Sequence, residues 1–326
     1  MPASHHATAP RVTDADTVGD IVGDARAIDR VWSRVRADAF CVEALIERCL
    51  PGPAPAVVEV THLRSAHYST WRVATADGDY LLRIGARTPD PPVENTGPHG
   101  TASTQPRGQR REVALAAHLH SAGVPVTRPV AVSDVDEYDV SWWTYEHAAD
   151  PLILDTEAWL RLLRPLWATP LTTLGSVPRF TNWAKSRDRL TEIHALAARS
   201  GTADQAAHAE ELGREYQARL QELCHVATRW SLVHGDAHAG NVVGSTRGPL
   251  LCDFDTTCLA PTVWDLTHLL ARAGSVGNDR YDPEQLRRSS GFADTEVHAA
   301  IALRQVASRI AQLHRTARNT ATPGPR

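Results

Sequence analysis

A chain of 326 residues, 42% of them hydrophobic and 22% charged, can bury a sizeable core, and its length suits two domains or two lobes of one. It has no run of about twenty apolar residues, which excludes a membrane-spanning helix, and Met1–Pro10 lacks the basic-then-apolar order of a secretion signal. A net charge of −4 with no basic run argues against a nucleic-acid partner, because phosphate neutralisation needs clustered Lys and Arg. The five cysteines, Cys41, Cys49, Cys224, Cys252 and Cys258, form no Cys-x-x-Cys pair. That pattern suits a reduced, cytoplasmic protein and speaks against zinc or a disulfide framework. Lys185 is the only lysine, with arginine supplying the other positive charges, which reads as the codon bias of a GC-rich source.

Residues 1–15 are polar and mixed and are expected to be poorly ordered. From Asp16 to about Leu50, apolar residues recur at helical spacing (Ile21, Ala25, Ile28, Val31, Trp32, Val35), predicting one or two helices closed by Pro51-Gly52-Pro53. Three strands follow at Val57–Leu63, Thr70–Thr75 and Tyr80–Ile84, the last two joined by the hairpin turn Ala76-Asp77-Gly78-Asp79. Ala86–Gly108, rich in Pro, Gly, Thr and Ser, reads as a long exposed insert. A helix over Arg111–Leu119 stops at Gly123 with Pro125 beyond. Strands at Arg128–Val132 and Val140–Tyr145 flank the acidic turn Asp134–Glu137. Helices then dominate: Glu157–Trp167, Thr181–Ala198 and Asp204–Val226, with Trp159, Leu163, Leu166, Leu190, Leu212, Leu220 and Leu223 as core candidates. Trp230–Val233 is a short strand. Val242-Val243 and Leu250–Cys252 form a small hairpin about the turn Gly244–Pro249, and helices at Val263–Ala273 and Thr295–Ala317 close the chain before a polar tail. The fold class is α+β.

The chemistry concentrates in Leu232-Val233-His234-Gly235-Asp236-Ala237-His238-Ala239-Gly240-Asn241, followed twelve residues later by Asp253-Phe254-Asp255. Phosphoryl transfer needs one carboxylate to orient the attacking hydroxyl and take its proton. It also needs an amide oxygen and a second carboxylate to hold magnesium against the nucleotide phosphates. Kinase catalytic loops supply these as His-x-Asp, an Asn five residues after the Asp, and a metal-binding Asp in an Asp-Phe-Gly turn. Asp and Asn are common in loops for turn chemistry alone. Four polar groups at kinase spacing in one short window are not.

On these residues the chain resembles the aminoglycoside phosphotransferase and choline kinase family, small-molecule kinases that share the protein-kinase fold. Their loop usually reads His-Gly-Asp-x-His-x-x-Asn, and their metal turn is often Asp-Phe-Asp. The resemblance implies a bilobal fold: a small antiparallel-sheet lobe with one main helix, and a larger, mostly helical lobe. It divides the chain into an N-terminal polar tail with helices (1–56), a nucleotide-binding lobe ending in the hinge (57–146) and a helical lobe with the catalytic loop and acceptor site (147–326). It implies Asp236 as the catalytic base, Asn241 and Asp253 as Mg2+ ligands, and ATP or GTP as the donor. Asp255 either reaches a second metal or a water, or serves a surface turn. His234, His238 and Asp265, the last in Trp264-Asp265-Leu266, are implied to order the loop.

In such a fold the segment Arg64–Ser69 lies over the phosphates. It contains no glycine, so Ser65 and Ser69 either donate hydroxyl hydrogen bonds there or belong to a plain hairpin turn. Arg83 stands where these kinases carry a phosphate-binding lysine, and a guanidinium can bridge two phosphate oxygens. Glu112 is its natural partner, although Arg110 and Arg111 beside it also permit a solvated face. The segment Trp142–His147 is the expected hinge, where adenine bonds to the main chain beside Tyr145, Glu146 and His147, although its aromatics also fit a plain core.

The acceptor is expected to be a small hydroxylated molecule. Asp279, Asp282, Glu284, Asp294 and Glu296 either suit a cationic one, such as an aminoglycoside or other amino-sugar antibiotic, or merely solvate the surface; antibiotic resistance is what the family resemblance and a GC-rich source imply. Sugars, amino alcohols and homoserine-like acids remain open, as does a nucleotide-binding pseudokinase, given the missing glycines and lysine. A protein kinase fits less well, since no Ala-Pro-Glu segment and no long activation segment follow Asp253.

Overall fold

The computed structural model describes residues 12–14, 46, 56–65, 68–86, 108–135, 138–147, 152–174, 181–271 and 281–321. Most of the expected helices before Pro51, most of the Ala86–Gly108 insert, the tip of the acidic turn at 136–137, Asp279 and the tail after 321 lie outside the described residues. The chain divides into two compact units, one drawn from 1–121 and 126–149, the other from 122–125 and 150–326.

The first unit is built on a sheet ordered β1-β2-β3-β4-β6-β5. Its strands are β1 (Val12–Asp14), β2 (Val57–Ser65), β3 (Ser69–Thr75), β4 (Gly78–Ala86), β5 (Pro129–Val135) and β6 (Tyr138–Thr144). All neighbours pair antiparallel except β1, which runs parallel to β2. The strand β1 was not among the expected elements; the rest of residues 1–15 lies outside the described residues. Backbone pairing on an open sheet edge needs no apolar pattern. Alternation sets the buried face: Trp71 and Val73, Leu82 and Ile84, and Val140 and Trp142 point to one core together with Ile46, Val60 and Val135. The β3–β4 turn is tied by Thr75, whose Oγ1 accepts from the Asp77 amide at 3.2 Å and donates to the Gly78 carbonyl at 2.8 Å. Helix α1 (Gln109–Ser121) buries Gln109, Glu112, Ala116 and Leu119, one face at steps of three and four. Glu112 is therefore on the inward face.

The second unit is mostly helical: α2 (Thr156–Trp167), α3 (Thr181–Ser200), α4 (Ala203–Val226), α5 (Leu266–Ala271), α6 (Pro283–Ser290) and α7 (Asp294–Ala321). Asp155 caps α2 by accepting from the Ala158 amide at 2.7 Å. Ile193, Leu196, Ala209 and Ala317 join α3, α4 and α7 in one cluster. Trp159, Leu163, Leu166, Leu212 and Leu223 are buried; Leu190 and Leu220 are half-buried. Two small ladders sit among the helices. β7 (Trp230–Val233) pairs antiparallel with β10 (Cys258–Pro261), and β8 (Val242–Ser245) with β9 (Gly248–Leu251). β10 and α6 are elements the sequence reading did not anticipate, and the expected helix at Val263 opens as a tight turn over Thr262–Asp265 before α5. Among the described residues no helix is long and apolar enough to cross a membrane.

Candidate active site

The ladder β7–β10 ends at Val233 opposite Cys258, and the loop that follows is built on Asp265. This carboxylate is fully buried. Its Oδ2 accepts from the His234 amide at 3.0 Å and from Trp167 Nε1 at 2.9 Å, and its Oδ1 from the Gly235 amide at 2.8 Å. Burial pushes its carboxyl above the usual range, against the pull of His234 and these three donors. Gly235 is required twice over: its φ is 84°, and a Cβ there would sit 2.5 Å from the Thr256 carbonyl oxygen. His234 is buried with Nε2 2.9 Å from the Cys252 carbonyl, and Thr256 Oγ1 donates to the His234 carbonyl at 2.8 Å. These contacts stitch the loop to the segment that carries Asp253.

Asn241 is buried and its Nδ2 donates to the Asp236 carbonyl at 3.0 Å. Its own carbonyl accepts from the Cys252 amide at 3.0 Å, adding one rung to the β8–β9 ladder. Asp253 follows directly on the far side of that rung, with φ 68° and ψ 70°. It is the one non-glycine among the described residues with a positive φ, a conformation that costs about 1–3 kcal/mol and that clusters at functional sites. With its Nδ2 spent on Asp236, Asn241 has Oδ1 as its remaining polar atom, and Asp253 carries a carboxylate. Both are hard oxygen donors of the kind magnesium takes. Among the described residues no three His, Cys, Asp or Glu gather into a metal site. A magnesium ion here would therefore need phosphate oxygens or water to complete its shell.

The Asp236 carboxylate is flanked by imidazoles. His268 Nε2 lies 2.7 Å from Oδ1 and His238 Nε2 3.5 Å from Oδ2, while Arg304 Nη2 is 3.8 Å from Oδ1. Burial pushes the Asp236 carboxyl up, but the contacts from His238 and His268 outweigh it and hold the group well below the usual carboxylate range. His268 and Arg304 escaped the sequence reading. Asp255 pairs with Lys185 at 3.3 Å, both half exposed, so this acid is a surface partner of the chain's only lysine.

In the first unit Arg83 Nη1 meets Glu112 Oε1 at 2.6 Å, both buried, and the Tyr68 ring covers the guanidinium at 4.3 Å. Gly85 makes room for that ring, since a Cβ there would lie 2.6 Å from it. Ser65 and Ser69 face each other in register across the β2–β3 hairpin, and the Ser69 side chain is buried. Tyr145 and His147 turn toward the β3–β4 turn. The Tyr145 amide donates to the Asp79 carbonyl at 3.0 Å, and His147 Nε2 is 3.0 Å from Asp79 Oδ2. Both line a cavity of about 520 Å³ with Asp77, Asp79, Tyr80 and Arg128. Glu146 is half-buried beside them.

The four described acids among those expected to draw a cationic acceptor are engaged locally. Asp282 caps α6 through the Glu284 amide at 2.9 Å, Glu284 pairs with Arg287 and Arg288, and Asp294 pairs with Arg287. Glu296 is buried and binds the Thr228 and Ala293 amides at 2.7 and 3.1 Å.

The family described as "Phosphotransferase enzyme family" matches residues 59–301. Among solved structures, choline kinase LicA from Streptococcus pneumoniae aligns at TM-score 0.55 and 12% identity, covering 90% of this chain and 94% of that one. A choline/ethanolamine kinase family protein from Mesorhizobium loti aligns at TM-score 0.54 and 16% identity, over 87% and 89%. Spectinomycin phosphotransferase, solved with ADP and spectinomycin, aligns at TM-score 0.51 and 13% identity, over 82% and 91%. No curated protein sequence matches significantly. At these identities the structures establish the fold, an α+β fold shared with small-molecule kinases.

Proposed function

The chain belongs to the phosphotransferase enzyme family, and we propose that it moves the γ-phosphoryl group of magnesium-bound ATP or GTP to a hydroxyl of a small molecule. Asp236 is the base, and Asn241 and Asp253 hold the metal. The observation that supports this reading is the backbone rung from the Cys252 amide, one residue before Asp253, to Asn241, whose side-chain amide is itself bonded to the Asp236 carbonyl. The metal would neutralise charge on the phosphates. The work of Asp236 is to orient the hydroxyl and receive its proton, and a loose transition state asks for little proton removal early. Arg83, held by Glu112, is the cation for the α- and β-phosphates, with Ser65, Ser69 and the hinge at Tyr145–His147 contributing to the nucleotide site.

The acceptor is a small alcohol. An amino sugar is one candidate, although Asp282, Glu284, Asp294 and Glu296 are committed to caps and ion pairs and give it no particular support. The test is transfer from labelled ATP and GTP, with magnesium, to a panel of amino sugars, neutral sugars, amino alcohols and hydroxy amino acids beside a generic protein substrate. Magnesium-dependent labelling of one small-molecule class, lost in Asp236→Asn, is the expected result. Labelling of the protein alone, or nucleotide binding without transfer to any acceptor or to water, overturns the proposal.

A further inference from the structure

Helices α5 and α7 bring to Asp236 two side chains that its own loop does not supply. His268, on α5, is buried, with Nε2 2.7 Å from Asp236 Oδ1 and Nδ1 2.7 Å from Arg304 Nη2 on α7. A guanidinium has only donors, so Nδ1 must accept, and the single hydrogen of a neutral ring is then on Nε2, the side facing Asp236. The Nε2–H is not well aligned with Oδ1, which makes this a close ion–dipole contact and not a straight hydrogen bond. Arg304 is itself held over the Trp264 ring at 5.7 Å, and Trp264 Nε1 donates to the Gly235 carbonyl at 3.3 Å. The second oxygen is held more loosely. His238 Nε2 stands 3.5 Å from Oδ2, with its Nδ1 accepting from the Gly240 amide at 3.0 Å.

We propose that His268 and Arg304 are positioning residues for Asp236: Arg304 fixes the His268 tautomer, His268 anchors Oδ1, and Oδ2 is left as the oxygen that takes the acceptor's proton. The proposal rests on the phosphotransferase reading above. In that step the acceptor oxygen bonds to the γ-phosphorus and the bond to the β,γ-bridging oxygen breaks. The electron pair leaves with the nucleoside diphosphate, and the hydroxyl proton passes to Oδ2. Burial supports the neutral ring, pushing the His268 imidazole down to about 4 against the pull of Asp236.

Two measurements test this. In the full-length protein, nitrogen-15 ring spectra of His268 should show the Nε2–H tautomer, and Arg304→Met should lose that exclusive signature; an Nδ1–H tautomer overturns the proposal. In turnover of magnesium-ATP with water or the best acceptor of the panel, His268→Leu should lower kcat by up to about 10²-fold, the scale of a misplaced catalytic group, while KM for ATP changes less than about twofold. His268→Gln, whose amide N–H can replace Nε2–H, should recover most of that loss. Arg304→Met should lower kcat alone but add nothing on top of His268→Leu, because it acts through the same ring. If His268→Leu does not fold, the Gln and Arg304→Met arms decide: wild-type kcat in Arg304→Met overturns the relay. Asp236→Asn run in parallel separates the two ideas. Loss there with wild-type kcat in His268→Leu defeats the positioning proposal alone, whereas retained kcat in Asp236→Asn defeats the base assignment.

Discussion

Glu112 and Asp236 are carboxylates that each have a guanidinium nearby, one in each compact unit, and the two are handled in opposite ways. Glu112 is 1% exposed and meets Arg83 directly at 2.6 Å, charge against charge. Asp236 is 36% exposed on its side chain and keeps Arg304 at 3.8 Å, with the His268 ring contacting both. A direct buried pair fixes its two partners against each other, so the carboxylate sets where the guanidinium stands. A neutral ring between the charges fixes one carboxylate oxygen and leaves the other within reach of a ligand. The contrast separates a carboxylate that holds a cation in place from one that stays partly exposed, as the proposed base would need.

The sharpest way to break that contrast is Asp236→Asn. It should lower kcat by about 10²–10⁴-fold with nucleotide affinity nearly unchanged, read by steady-state kinetics beside calorimetric titration with a non-hydrolysable ATP analogue. A near-wild-type rate would remove Asp236 from the chemistry. Arg83→Met tests the other arm. It removes the buried guanidinium that faces Glu112 and should cost about 3–5 kcal/mol in denaturant unfolding. Adding Glu112→Leu should return most of that, because the pair is stabilising only relative to a half-pair.

A third measurement concerns pH. The folded His268 takes up its proton only near pH 4, whereas in the unfolded chain the ring titrates at its ordinary 6.5. The unfolded state therefore binds the extra proton first, and stability falls as pH drops from about 6.5 to about 4, then levels off. The loss is about 3 kcal/mol for a group this buried, and His268→Gln should flatten it in pH-dependent unfolding. Asp236, held below the ordinary carboxylate range, contributes its own loss only at still lower pH. The smallest effect is Asp282→Ala, which removes the α6 cap and should cost about 1 kcal/mol with turnover unaltered. Lost turnover there would return these acids to the acceptor site.

How much of this could be read from the chain follows from how local each signal is. His234, Asp236, Asn241 and Asp253 lie in one loop and one hairpin, so their spacing alone brings them near each other. Arg83 and Glu112 were harder, because an arginine in an apolar strand and an acid between arginines each permit a solvent-facing reading. Periodicity along α1 resolves it by putting Glu112 on the face of Ala116 and Leu119. His268 and Arg304 left no local trace, since a histidine in Thr267-His268-Leu269 and an arginine in a long helix look like ordinary helical residues. Only the packing of α5 against α7 turns both toward Asp236. β10 is four residues long, too short to show alternation, and its existence depends on pairing with β7. α6 was legible and overlooked: Asp282 at the cap, Pro283 in the first turn and Gly291 after the last are ordinary boundary signals.

The left-handed backbone at Asp253 has a consequence for substitution. Asn tolerates that conformation at least as well as Asp and glycine tolerates it better, but only Asp also carries a negative charge, so Asp253→Asn and Asp253→Gly should both keep the hairpin's shape while removing the charge proposed to hold magnesium. Few positions let architecture and electrostatics be removed one at a time, and here the torsion of a single residue provides it.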